Sequence, residues 1–199
     1  MSDKTEAKGL GLFGGTFDPV HLGHLVVAEW LTDSLGLQKT IFIPNHKHPF
    51  GKRQDITPGE LRLEMLRLAL KNYPQFEISS IELDRKGISY AVDTVQYFKE
   101  KYPDQELYYF IGADNLKEFL SWKEPHQILR LAYLVVFNRS ASSFTEPFQH
   151  KNLLYVDSPI IDISSTHIRH RIRKKCSFRS LVPDTVHDFI IHNSLYLSQ

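Results

Sequence analysis

The sequence predicts an α/β fold: a Rossmann-like, doubly wound, mostly parallel sheet with helices on both faces, closed by a C-terminal helical segment. Three observations predict it. Short β-branched or aromatic runs alternate with segments of helical period along the whole chain. The first such unit reads strand, glycine turn, helix, strand, which is a β-α-β crossover. No internal repeat or low-complexity tract interrupts the alternation, and 199 residues suffice for one α/β domain with a sizeable core. A single domain over residues 1–199 is therefore expected, with its core at 9–160 and the helical segment at 161–199.

Leu10 to Phe13 is the first strand, and Leu22, Leu25, Val26, Ala28 and Leu31 recur at helical spacing after Pro19. That helix runs from about His21 to Ser34 and stops at Gly36, a C′ glycine. Thr40 to Ile43 is the second strand, ended by Pro44. Asn45 to Thr57 is a polar loop with basic residues just past a strand's carboxyl end, where open α/β sheets bind ligands. Thr57-Pro58-Gly59-Glu60 reads as a capping box opening a helix, with Leu61, Met65, Leu68 and Ala69 as its buried stripe. Phe76 to Ile81 is a third strand. Val92, Val95, Phe98 and Tyr102 line a helix that ends before Pro103. Leu107 to Ile111 is the fourth strand, and it delivers Gly112 and Asp114 to its carboxyl end. Tyr133 to Phe137 and Leu153 to Val156 are the fifth and sixth. Between them Asn138 to Phe148, with four Ser/Thr residues, reads as a loop. Ser164 to Thr166 cap a helix reaching about Lys175, and a closing helix over Val182 to Leu197 turns Val186, Phe189 and Ile190 inward.

Composition bounds the function. A formal net charge of +1 gives no bulk reason for nucleic-acid binding, and the basic run Arg169 to Lys175 lacks interleaved aromatics for stacking. The single cysteine cannot form an internal disulfide, the N-terminus has no apolar leader, and no run reaches 18 apolar residues. A cytoplasmic protein without a membrane partner is expected; a homo-oligomer is left open.

The chemistry concentrates in Gly14-Gly15-Thr16-Phe17-Asp18-Pro19-Val20-His21-Leu22-Gly23-His24. The glycine pair is expected to permit φ > 0 and to turn backbone N–H groups toward an anion. The helix N-terminus faces the same turn, and His21 and His24, three apart, share one face of its first turn. Donors so arranged suit the phosphate oxygens of a phosphoryl or nucleotidyl transfer. A zinc site lacks a third ligand at motif spacing, and no P-loop string occurs. Ser164, Ser165 and Thr166 at a second helix start, with Arg169 one turn in, form another anion site. Two positions stay open on local grounds: Asp114 suits a ribose, a metal or a helix cap, and Trp122 suits core or ligand platform.

The eleven-residue string resembles the motif of the nucleotidyltransferase superfamily that carries the (H/T)xGH signature. Together with Ile163-Ser164-Ser165-Thr166-His167-Ile168-Arg169, it resembles the bacterial nicotinate-mononucleotide adenylyltransferases. The blocks Leu61 to Leu66, Ser89 to Thr94, Phe110 to Leu116 and Trp122 are similar to that family in the same order, so the resemblance spans roughly 9–197. It implies adenylyl transfer from ATP to nicotinate mononucleotide, a step of NAD biosynthesis, with Mg²⁺ carried on the ATP phosphates and no protein metal ligand. It implies His21, His24 and Arg169 as catalytic groups. Gly14, Gly15, Thr16, Phe17, Asp18, Gly23, Gly112, Asp114, Ser164, Ser165, Thr166 and Ile168 join them at ATP. Tyr90, Ala91, Trp122 and Lys52 are implied at the pyridine nucleotide. Lys47 rivals Lys52, because the family's P-P-H-K loop reads His48-Pro49-Phe50-Gly51-Lys52 here, and Ala91 stands where threonine is common.

Overall fold

Side chains alternate between two cores along the inner strands of the sheet, and that alternation fixes the architecture. The computed structural model describes residues 9–51, 55–138 and 148–197. Its strands are β1 (Gly9–Gly15), β2 (Lys39–Pro44), β3 (Phe76–Ile78), β4 (Glu106–Gly112), β5 (Tyr133–Phe137) and β6 (Leu153–Val156). They form one sheet in the order β3-β2-β1-β4-β5-β6, with every pairing parallel. Phe13, Phe42, Phe110, Val135 and Phe137 face one core, and Leu12, Ile41, Ile43, Tyr109, Ile111, Leu134 and Val136 face the other.

Helices cover both faces. On the first lie α1 (Leu22–Ser34), α2 (Gly59–Leu70), α7 (Ser165–Arg173) and α8 (Asp184–His192), whose apolar residues join the Phe13 core. On the second lie α4 (Ala91–Lys101), α5 (Ala113–Leu116) and α6 (Pro125–Leu131). A short α3 (Ile81–Arg85) precedes α4. The strand order reverses between β1 and β4, and the crevice beyond their carboxyl ends is where a doubly wound sheet binds its ligand.

Several expectations are corrected. The third strand stops at Ile78, because Ile81 begins α3. The Thr57–Glu60 capping box is absent: Pro58 is the N-cap and makes no side-chain bond. Thr57 is engaged elsewhere, its N–H donating to Asp18 Oδ2 at 3.4 Å and its carbonyl accepting from Arg62 Nε at 2.8 Å. The buried stripe of α2 is Arg62, Met65, Leu66, Ala69 and Leu70, so Leu61 and Leu68 sit at its edge. The closing helix ends at His192, and Val186 and Ile190 are buried while Phe189 is only partly so. Gly36 adopts φ +58°, as a C′ glycine should.

Candidate active site

At the carboxyl ends of β1, β2, β4 and β5 lies a cavity of about 690 Å³. Gly14, Gly15, Thr16, Phe17, His21, Gly23 and His24 line one side, Ser164, Ser165, Thr166 and Arg169 another. Tyr90, Ala91, Gly112, Asp114 and Trp122 also line it. Asp18 and Ile168 are buried at 1% and 0% exposure and do not line it. Lys52 and most of the Asn138–Phe148 loop lie outside the described residues, and Lys47 does not reach the lining.

The glycine pair works differently from the expectation. Gly14 and Gly15 end β1 without positive φ; the left-handed residue of the turn is Phe17, at φ +49°. Glycine is needed for clearance, since a Cβ on Gly15 would lie 2.9 Å from the Phe17 ring and one on Gly14 3.0 Å from the Tyr109 hydroxyl. Phe17 itself is packed edge-on against Phe13 and His24.

His21 is the N-cap of α1, with extended backbone, and His24 is its third residue. The His21 N–H donates to His24 Nδ1 at 3.2 Å, and the two rings stack with centroids 3.6 Å apart. Because Nδ1 accepts this bond, a neutral His24 carries its proton on Nε2 and is a donor there.

The second motif closes on the first. Ser164 caps α7 by accepting from the His167 N–H at 3.2 Å. Ser165 Oγ donates to the Pro19 carbonyl at 2.8 Å. Arg169 Nη1 donates to the Asp18 carbonyl at 2.5 Å and Nη2 to Thr166 Oγ1 at 3.1 Å. Two segments some 150 residues apart in sequence, 146 for one bond and 151 for the other, thus form one wall. Two helix N-termini, two imidazoles and a guanidinium line one cavity, an arrangement that attracts and stabilises phosphate charge.

The chain's relatives agree with that chemistry. Residues 12–171 match the family model described as Cytidylyltransferase-like. A probable nicotinate-nucleotide adenylyltransferase of Dictyoglomus thermophilum is 39% identical over 195 residues, covering 94% of this chain and 99% of its own. The nicotinate-nucleotide adenylyltransferase of Bacillus subtilis is 37% identical over 191 residues, with 96% and 100% covered. This chain belongs to the nicotinate-nucleotide adenylyltransferase family. A solved structure of Plasmodium falciparum nicotinic acid mononucleotide adenylyltransferase complexed with NaAD shares the fold, with a TM-score of 0.77 at 17% identity over 95% of this chain and 97% of that one.

In this adenylyltransferase family member, both open positions resolve into cavity-lining residues. Asp114 is not a cap, because Gly112 is the N-cap of α5. Trp122 is half-buried: it packs on Phe119 at 5.4 Å and Tyr109 at 6.4 Å, yet lines the cavity. Tyr90 is the N-cap of α4, so Ala91 supplies a first-turn backbone N–H that its missing hydroxyl does not affect. Lys123 sits 4.7 Å from the Tyr90 ring and 3.0 Å from Asp93.

Several site residues escape sequence reasoning. Arg62 is 2% exposed and ties the turn after β1 to both ends of the loop after β2, donating to the carbonyls of Thr57 at 2.8 Å, Thr16 at 2.7 Å and Asn45 at 2.8 Å. Glu82 lines the cavity at 4% exposure; burial pushes its carboxyl above the usual range, while hydroxyl bonds from Thr94 and Ser89 pull the other way. The sequence signal for Arg62 was its place in the Leu61 to Leu66 block, while the stripe expected for that helix, Leu61, Met65, Leu68 and Ala69, passed it over; the structure buries it beside Met65, Leu66 and Ala69. Among the described residues no group of three His, Cys, Asp or Glu side chains could hold a metal ion, and no helix is long and apolar enough to cross a membrane.

Proposed function

We infer that this chain transfers the adenylyl group of ATP to nicotinate mononucleotide, giving nicotinate adenine dinucleotide and pyrophosphate in NAD biosynthesis. The observation that carries the reading is the junction of the two motifs, in which Arg169 and Ser165 bond the Asp18 and Pro19 carbonyls beside His21 and His24. A phosphate monoester is mostly dianionic at neutral pH, its second pKa being about 6, so the acceptor needs no strong base. Its oxygen attacks the α-phosphorus in line, the α–β bridging bond breaks, and pyrophosphate leaves.

His21, His24 and Arg169 are proposed to stabilise the charge that builds on the transferring and leaving phosphates. The backbone of Gly14 to Thr16 and Gly23, the Ser164 to Thr166 cap, and Gly112 with Asp114 hold ATP. Phe17 lines that wall, and Asp18 and Ile168 support it from the core side. Trp122 faces the pyridine ring, the Tyr90 and Ala91 backbone receives the carboxylate, and Lys52 holds the acceptor phosphate. A divalent ion, Mg²⁺ in this reading, neutralises the triphosphate.

The test is to incubate the protein with Mg·ATP and nicotinate mononucleotide and identify the product by mass. Nicotinate adenine dinucleotide is expected; ATP binding with no adenylylated product would overturn the assignment.

A further inference from the structure

Glu82 is a buried carboxyl at the cavity with no part in the phosphate chemistry above. Thr94, in the first turn of α4, donates its hydroxyl to Glu82 Oε1 at 2.5 Å, and Arg85 donates to that same Thr94 oxygen at 3.2 Å. Ser89 makes a second side-chain bond to Glu82, and its oxygen accepts the His46 N–H at 3.0 Å. The backbone repeats the link: Ser89 N–H donates to the Lys47 carbonyl at 2.9 Å, Lys47 pairs with Ile88, and His46 Nδ1 lies 3.0 Å from the Gly87 carbonyl. One carboxyl therefore joins α3, the Gly87–Tyr90 segment, the start of α4 and the loop after β2.

We propose that Glu82 is the positioning residue of the acceptor half of the site: through Ser89 and Thr94 it holds the Tyr90 and Ala91 backbone where a pyridine carboxylate is received. The inference rests on the acceptor reading above. It separates the two halves of the cavity, because none of these bonds touches His21, His24, Arg169 or the α7 cap. A carboxyl that accepts two hydroxyls cannot be replaced in full by an amide, whose oxygen accepts while its NH₂ only donates.

The test is steady-state kinetics of Glu82→Leu, Glu82→Gln and Ser89→Ala, with each substrate varied in turn. In Glu82→Leu the KM for nicotinate mononucleotide is expected to rise about tenfold or more, the scale of losing hydrogen bonds to a charged group. The KM for ATP and kcat should stay within about threefold of wild type, with Glu82→Gln and Ser89→Ala intermediate on the acceptor side. An unchanged acceptor KM, or an equal rise in both KM values, would overturn the proposal. If Glu82→Leu fails to fold, Ser89→Ala alone decides by the same criterion. Wild-type enzyme inert toward nicotinate mononucleotide would instead refute the acceptor reading itself, which keeps the two failures distinct.

Discussion

The Tyr196 hydroxyl donates a 2.7 Å hydrogen bond to Asp18 Oδ1, so the segment after α8 is tied to the turn that carries the first histidine motif. Burial, and then the Asp18 charge, push the Tyr196 phenol upward, which keeps it a donor at any physiological pH. Asp18 in turn presents its carbonyl to Arg169. The C-terminal segment, the glycine turn and the second motif are therefore one connected structure. Tyr196→Phe removes the donor from a carboxylate that is 1% exposed. A loss of about 1.5–3 kcal/mol in unfolding free energy is expected, read from denaturant midpoints. No change would mean the bond contributes nothing net.

Arg62 is the second tie. Arg62→Met would leave the carbonyls of Thr16, Asn45 and Thr57 without its three donors. At about 1 kcal/mol or more for each buried acceptor, a loss of at least about 3 kcal/mol is expected. Arg62→Lys should recover only part of it, because an ammonium cannot span three directions as a guanidinium fork does. Thermal unfolding of both variants checks the order.

His24 has two separable jobs. Its Nδ1 accepts the His21 N–H, which puts the proton of the neutral ring on Nε2, and the residue lines the cavity. His24→Asn keeps an acceptor near the first position and removes the donor at the second. Turnover is expected to fall about 10²-fold or more, the scale of losing one transition-state donor, with little change in melting temperature. Full activity in His24→Asn would exclude His24 from charge stabilisation.

Glu82 also has a pH signature. Burial raises its carboxyl above the ordinary 4.5. Below 4.5 both folded and unfolded chains hold the proton, and its contribution to stability is complete. As pH rises through the raised folded value, the unfolded chain has already ionised, the native state binds more protons, and stability falls. Glu82→Gln never ionises, so its stability relative to wild type should improve as pH rises above about 4.5, measured as the difference in denaturant midpoint. A difference that shrinks over that range would mean the carboxyl is not raised.

The strands were legible in the sequence because they are short apolar runs, most of them rich in β-branched and aromatic residues set alternately on two cores, and five of the six were read to within a few residues. The short α3, α5 and α6 were not: with four to seven residues they offer less than two turns of periodicity. The two motifs were legible as strings, and the structure gives their contact. What sequence could not supply is the layer behind them. Arg62, Glu82 and Tyr196 act through partners 5 to 178 residues away, and no local pattern distinguishes such a residue from an ordinary charged or aromatic one. The glycine turn was misread for a related reason, since its steric demand comes from the Phe17 ring and the Tyr109 hydroxyl rather than from its own φ.

The most direct measurement is pyrophosphate release from Mg·ATP with nicotinate mononucleotide, nicotinamide mononucleotide and phosphopantetheine compared as acceptors by kcat/KM. The highest value with nicotinate mononucleotide is the predicted result. A higher value with either of the others would contradict the acceptor assignment, and release with none of the three would contradict adenylyl transfer itself.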